Sequence, residues 1–322
     1  VRNNILFITL SNIGDAILTL PVLDILKDRY PDSKITVVCS ERSKAVFIDN
    51  PLFGKVIVYK KSSGLKEKLK LVKSLREEYF DFIIDLRNSA FPFFLRGRKK
   101  TTPFDHILKK NTHIKDWHIA KLRNIIKNVN FNCKRQSFHI KEDSHSFINN
   151  KLSHFGLKEG SFVIIAAGAR SFLKRWDKDK YLDLGYRIIN ELNLDIVLIG
   201  DNNDKAVCDY LQNNLKSRIF NLVGQTNFNQ IAALFSKGKL VIANDSGILH
   251  LASYLDIPVL GLYGPSDEKK YGPWSRVCVV VRKKLDCAPC EKAHCKFKEV
   301  KCLTQLDTDF VFSKLQNLIN EL

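Results

Sequence analysis

The stretch Ala243–Trp274, ANDSGILHLASYLDIPVLGLYGPSDEKKYGPW, decides how the whole chain is read. It begins where an apolar run, KLVIAN, meets an Asp-Ser-Gly triplet. A helix-like segment, GILHLASYL, follows, and then a second apolar run, PVLGLYG, opens into a loop rich in Gly and Pro. Strand, tight turn, helix and strand in that order make a βαβ unit of a parallel sheet. Such sheets bind ligands outside the carboxyl ends of their strands. Asp245, Ser246 and Gly247 fall at one of those ends. Asp245 or Ser246 is placed to cap the helix, and Gly247 lets a ligand approach the backbone. The helix amides and the positive end of the helix dipole suit an anion. His250 stands four residues after Ser246 and shares its face. The triplet alone is also what an ordinary capped helix looks like. The Gly/Pro loop beside it is what makes a pocket.

Outward from this unit the same alternation runs through both halves of the chain. In the first half NNILFITL, KITVVCS, KVIVYK and FDFIIDLR read as strands, and ILTLPVLDILKDRY and GLKEKLKLVKSLREEY as amphipathic helices. In the second half FVIIAAGA, DIVLIG and RIFNLVG read as strands, and YLDLGYRIINEL and NFNQIAALFSKG as helices. DNNDKAVCDYLQNNL is polar, and DTDFVFSKLQNLINEL is a last helix. The expected fold is α/β, with two Rossmann-like domains whose parallel sheets face each other across a cleft. Their predicted extents are residues 1–154 and 155–322, joined near Ser153–Gly160, with a Cys-rich segment and the terminal helix in the second. Asn88–Lys115 reads as an irregular, aromatic and basic segment. There is no G-x-G-x-x-G, no G-x-x-x-x-G-K-[ST] and no G-x-S-x-G, which argues against a dinucleotide dehydrogenase, a P-loop NTPase and an α/β-hydrolase.

Other strand ends carry polar residues too. In GARSFLKRWD, Lys174 and Arg175 can neutralise a diphosphate and Trp176 can wall its pocket. Asn202 follows DIVLIG at a third strand end. In SNIGDAILTLP, Gly14 permits a tight turn and Asp15 opens a helix. Asp15 reads either as an acid that satisfies the helix dipole or as a general base in the cleft.

The chain has 322 residues, of which 45% are hydrophobic and 27% charged, enough for two well-filled cores. Lys and Arg outnumber Asp and Glu by 52 to 34, a formal charge of +18. That excess favours nucleic acid, anionic lipid or phosphorylated substrates without choosing among them. Basic clusters fall at Lys60–Lys70 and Arg96–Lys110. The first residues read as strand, loop and helix, not as a signal peptide, so a cytoplasmic location is expected. Four of the eight cysteines, Cys287, Cys290, Cys295 and Cys302, form C-x2-C-x4-C-x6-C. By ligand type they suit a structural zinc or iron; packed, reduced thiols are the alternative.

With these loops in order the chain resembles glycosyltransferase family 9, the lipopolysaccharide heptosyltransferases. The resemblance rests on IGDAILTLPVL (Ile13–Leu23), AGARSFLKRW (Ala167–Trp176) and NDSGILHLASYLDIPVLGLYGPSDEKKYGP (Asn244–Pro273), with CAPCEKAHCKFKEVKCL as a cysteine-bearing tail. It implies a GT-B fold, an acceptor domain followed by a nucleotide-sugar domain, and inverting, metal-independent transfer from an ADP-heptose to a lipopolysaccharide inner core. It implies no cofactor. Carried over by position, Asp15 is the catalytic base. Lys174 holds the diphosphate, and Asp245, Ser246, Gly247 and His250 form the donor site, with Gly14, Arg175 and Asn202 as further donor-side candidates. Some members place a Glu against the ribose where this chain has Asp201, Asn202 and Asn203. A phosphorylated glycolipid acceptor also accounts for the basic excess. Phe91, Phe93 and Phe94 with Arg96, Arg98, Lys99 and Lys100 suit contact with that acceptor or with the cytoplasmic face of the inner membrane; a surface loop with its aromatics tucked into the core is the alternative. Nucleic acid is not an expected partner. The alternatives are a same-fold transferase for another nucleotide sugar or a protein acceptor, and a non-catalytic anion-binding protein. The strand-end loops argue against the last.

Overall fold

The computed structural model describes residues 3–60, 64–103, 112–127 and 133–322. The chain divides into two compact units, Val1–His139 and Ile140–Leu322. Residues 61–63 and 104–110, within the two basic clusters, lie outside the described residues.

The first unit is built on a parallel sheet of β1 (Asn4–Thr9), β2 (Lys34–Ser40), β3 (Lys55–Tyr59), β4 (Phe80–Asp85) and β5 (Gly97–Lys100), in the order β3-β2-β1-β4-β5. β1 is central because both of its faces are covered. Ile5, Leu6, Phe7 and Ile8 are all fully buried, and a strand covered on both faces must be apolar at every position. Helices Leu20–Arg29, Leu65–Arg76 and Ile114–Ile125 accompany the sheet. Asp24 on the first of these is buried and accepts from the backbone amides of Gln136 and Ser137 at 2.9 and 2.8 Å, which fixes the end of the unit.

The second unit carries β6 (Phe162–Ala166), β7 (Asp195–Leu198), β8 (Ile219–Asn221), β9 (Val241–Asn244), β10 (Val259–Tyr263) and β11 (Cys278–Arg282), all parallel, in the order β11-β10-β9-β6-β7-β8. The polar stretch after β7 is a helix, Lys205–Leu215, whose Cys208, Leu211 and Leu215 face the core. The terminal helix Thr308–Asn320 packs on helix Lys178–Glu191 and on β11, and Arg187 pairs with Asp309 at 2.7 Å.

The structure corrects two expectations and adds a strand. The seam falls between His139 and Ile140, not near Ser153–Gly160. Helix Glu142–Phe155 packs against helix Phe228–Phe235 and ends in left-handed Gly156, so it is the first element of the second unit. Residues Gly97–Lys100 form an edge strand, not an irregular loop. Backbone pairing to β4 suffices there, and charged side chains on an exposed edge discourage pairing with another chain. Gly97 is required, because a Cβ would stand 2.8 Å from Ile83 and 2.9 Å from the Phe80 carbonyl. The run around Cys278 is a sixth strand of the second sheet, on its other edge.

Candidate functional site

The polar residues of the second unit gather at the carboxyl ends of three neighbouring strands. Lys174 ends a short 3-10 turn, Phe172–Lys174, that follows β6. Its Nζ donates to Asp245 Oδ2 at 2.6 Å. Asp245 follows β9 and its side chain is only 4% exposed, whereas that of Lys174 is 36% exposed. His250 Nε2 lies 3.7 Å from Asp245 Oδ1, and the His250 ring stacks on Trp274 from the loop after β10, with centroids 6.1 Å apart. Lys174, Asp245 and His250 are thus brought together as the motif spacing suggested.

One expectation fails in an informative way. Ser246 occupies the N-cap position of helix Gly247–Tyr254, but neither it nor Asp245 supplies a side-chain cap. The Ser246 hydroxyl is buried with no hydrogen-bond partner among the described residues. The first-turn amides beginning at Gly247, a buried hydroxyl and the Lys174 ammonium therefore remain available at one place. First-turn amides have no partner inside their own helix and bind anions readily. Asp245 itself would repel a phosphate, so its effect is to hold Lys174 and His250 in position.

Arg175 is spent on the scaffold. Its Nε donates to the Ala169 carbonyl at 2.7 Å, and Nη2 lies 3.6 Å from Asp204 Oδ1. Asp204 in turn packs where Cβ atoms on Gly168 or Gly200 would stand, 2.0 and 2.7 Å from it, so both strand ends need glycine. Asn202 is exposed in the turn Asn202–Asp204 after β7. No hydrogen bond or ion pair among the described residues ties it to the Lys174 group.

The sequence reading missed Asn244. This residue is wholly buried at the end of β9; its Nδ2 donates to the carbonyls of Ala167 at 2.7 Å and Gly168 at 3.3 Å, and its Oδ1 accepts from the Trp176 amide at 3.1 Å. One side chain thereby fixes both ends of the loop that carries Lys174. The available signal was an Asn closing an otherwise apolar strand. Trp176 is buried rather than walling a pocket, and its Nε1 donates to the Leu306 carbonyl at 3.1 Å.

The four clustered cysteines are free thiols that line one cavity of about 160 Å³ together with Leu173, Pro265 and Phe297. Burial first, and then Cys290, Cys287 and Cys295, push the Cys302 thiol up to about 11. Among the described residues no three His, Cys, Asp or Glu side chains are set to hold a metal ion. The segment does support the neighbouring loop: the amides of Cys290 and Glu291 donate to the Pro265 carbonyl, at 3.0 and 2.9 Å.

In the first unit Asp15 lies half-buried in the first turn of the short helix Ile13–Ile17, at the carboxyl end of β1, with Gly14 beside it. A second polar node, not foreseen, closes neighbouring β4. Asp85 Oδ1 accepts from the Arg87 amide at 2.8 Å, and Oδ2 accepts from the Ser89 amide and hydroxyl at 2.7 and 2.6 Å. Burial pushes the Asp85 carboxyl up, against the pull of those bonds. Buried Lys121 donates to Asn88 Oδ1. Arg98 and Lys99 are exposed along β5 and Arg96 just before it, and Lys100 donates to the Leu95 carbonyl at 2.6 Å.

Comparison with known proteins identifies the family. The profile of glycosyltransferase family 9 (heptosyltransferase) matches residues 68–301, which contain Lys174, Asp245 and His250. Lipopolysaccharide heptosyltransferase 3 of Escherichia coli K12 is 28% identical over 297 residues, 81% of this chain and 83% of that protein. Among solved structures, a family 9 glycosyltransferase from Veillonella parvula superposes with a TM-score of 0.83 at 23% identity, covering 99% of this chain and 98% of its own. E. coli ADP-heptose lipopolysaccharide heptosyltransferase II superposes with a TM-score of 0.75 at 22% identity, covering 99% of each chain. With its two parallel α/β units, the chain is a glycosyltransferase of GT-B fold and belongs to glycosyltransferase family 9, the heptosyltransferases.

Proposed function

We propose that this enzyme transfers a heptose from ADP-heptose to the inner core of lipopolysaccharide, with inversion and without a metal ion. The observation that carries the reading is the uncapped helix start at Gly247 with Lys174 beside it, held by buried Asp245. In the reaction the acceptor hydroxyl passes its proton to the Asp15 carboxylate and its oxygen attacks the anomeric carbon. The bond from that carbon to the diphosphate oxygen breaks on the opposite face. ADP leaves with the charge that develops, and the Lys174 ammonium and the first-turn amides meet it. Ser246 Oγ is a further donor to phosphate. Asp245 acts through Lys174 and His250, and the first and second units serve acceptor and donor respectively.

A thermal-shift panel of nucleoside diphosphates and their sugars tests this. ADP and ADP-heptose should raise the melting temperature and UDP should not. Lys174→Met should abolish the shift; stabilisation of both proteins by UDP and not ADP would sink the donor assignment.

The acceptor is membrane-borne, and the first unit offers a surface suited to an anionic bilayer. Leu65 and Leu69 are 72% and 59% exposed on helix Leu65–Arg76, which packs against the short helix bearing Phe93 and Phe94, each 58% exposed. Exposed Lys66, Lys68 and Lys70 interleave with the leucines. Apolar wedges among lysines bind anionic membranes, each lysine adding about 1 kcal/mol. Flotation with vesicles of phosphatidylglycerol and phosphatidylcholine should carry the wild type upward and leave Leu69→Glu/Phe93→Glu behind; equal flotation would refute this surface.

A further inference from the structure

The loop that bears Asp15 is flanked, on both sides, by an arginine. β1 lies between β2 and β4, with Thr9 opposite Cys39 and Ile8 opposite Asp85. The loops leaving these three strands at their carboxyl ends are therefore neighbours. From β2 comes exposed Arg42, whose Nη1 donates to Asn12 Oδ1 at 3.3 Å, three residues before Asp15. Ser40 ties the same loop to the Ser11 carbonyl. From β4 comes exposed Arg87, the second residue beyond the strand.

The backbone under Arg87 is built at some cost. Asp85, 2% exposed, takes three hydrogen bonds from Arg87 and Ser89, and Lys121, 1% exposed, holds Asn88 in a left-handed conformation, φ 55°. Burying a carboxylate and an ammonium is unfavourable unless each is paired or hydrogen-bonded, and a left-handed non-glycine residue adds strain. A solvent loop needs neither. What the node achieves is a fixed place for Arg87.

Neither guanidinium is within ion-pair distance of a carboxylate among the described residues; nearby Glu41 pairs with Lys44 instead, at 2.6 Å. Two exposed arginines, carried by the loops on either side of one loop and without an ion-pair partner among the described residues, describe a site for an oxyanion, since the guanidinium fork matches carboxylate and phosphate. We propose that Arg42 and Arg87 clamp an acidic group, carboxylate or phosphate, on the acceptor saccharide and so bring its hydroxyl to Asp15. The proposal rests on the acceptor-side reading of Asp15.

The test is calorimetric binding of delipidated core oligosaccharide from a heptose-deficient lipopolysaccharide, supplied intact, dephosphorylated or carboxyl-reduced. Arg42→Gln and Arg87→Gln should each weaken binding of the intact oligosaccharide about tenfold or more, the order of one charge-assisted hydrogen bond. ADP stabilisation of both variants should stay as in the wild type, which also shows that they fold. The wild type should lose the same affinity for whichever modified oligosaccharide lacks the clamped group, and that arm identifies it as phosphate or carboxylate. Variants that bind the intact form like the wild type would overturn the clamp, as would a wild type that binds all three forms equally. Failure of ADP to stabilise the wild type would instead strike the donor-site reading and leave the oligosaccharide result interpretable.

Discussion

In the second unit most of the arginines are ion-paired. Arg187 meets Glu191 and Asp309, Arg218 meets Asp195, Arg276 meets Asp256, and Arg282 meets Glu268. In the first unit Arg42 and Arg87 have no carboxylate within ion-pair distance among the described residues, and Leu65, Leu69, Phe93 and Phe94 stand in solvent on two helices that pack together. The contrast extends to the strand ends. Neutral Asn244 braces the Lys174 loop through two carbonyls and an amide, whereas charged Asp85, supported by buried Lys121, braces the Arg87 loop. A nucleotide sugar is one small ligand that an ion-paired unit can grip. A glycolipid in a membrane calls for unpaired charge and exposed apolar surface.

The largest expected effect separates the two units by function. Asp15→Asn keeps the shape of the side chain and removes its basicity, so transfer should fall by about 10² to 10⁴, the usual contribution of a general base. ADP should stabilise the variant as it does the wild type, because the proposed donor residues lie in the second unit. Radiolabelled heptose transfer and a thermal shift on one preparation read both. Near-normal turnover would remove Asp15 from the chemistry, and loss of ADP stabilisation would dissolve the division between the units.

The next effect is smaller and tests the Asn244 brace. Asn244→Leu fits the volume but leaves the Ala167 carbonyl and the Trp176 amide buried without partners. Each such group costs about 1–3 kcal/mol. The melting temperature should drop by several degrees and ADP affinity should fall with it, since the Lys174 loop loses both anchors. A variant with weaker stability and unchanged ADP affinity would show that the loop is held by other contacts, such as Arg175 to Ala169.

How much of this was legible before the structure follows from the same physics. Nine of the strands announce themselves because apolar runs bounded by turns have one solution in a doubly covered parallel sheet. Gly97-Arg98-Lys99-Lys100 does not, since an edge strand is specified by backbone pairing and a missing Cβ rather than by hydrophobic pattern. At the site, Lys174, Asp245 and His250 were visible because each lies in a distinctive loop. Arg175 looked equivalent to Lys174 from its position, and only the geometry of Ala169 and Asp204 shows it turned into the scaffold. Arg42 and Arg87 were invisible. Nothing local marks them, and their relation to Asp15 exists only through the strand order that sets β2 and β4 against β1.

The smallest effect belongs to the histidine buried beside Lys121 in the first unit. His118 sits beside Lys121 and Trp117, and burial, then Lys121, Arg87 and His113, lowers it from the ordinary 6.5 to about 3. In the unfolded chain this imidazole takes up a proton as pH falls below about 6.5, while in the folded chain it stays neutral until about pH 3. Across that window the unfolded state binds more protons, so folding loses up to about 1.4 kcal/mol per pH unit from this group. His118→Gln removes the titration and keeps a polar side chain of similar length. Urea unfolding at pH 6.5, 5.5 and 4.5 should then give a shallower fall in stability for the variant than for the wild type. Parallel slopes would mean that His118 is protonated in the folded protein. Lys121 and Arg87 would then be compensated by an anion already bound there, and the first unit would be less open than its unpaired arginines suggest.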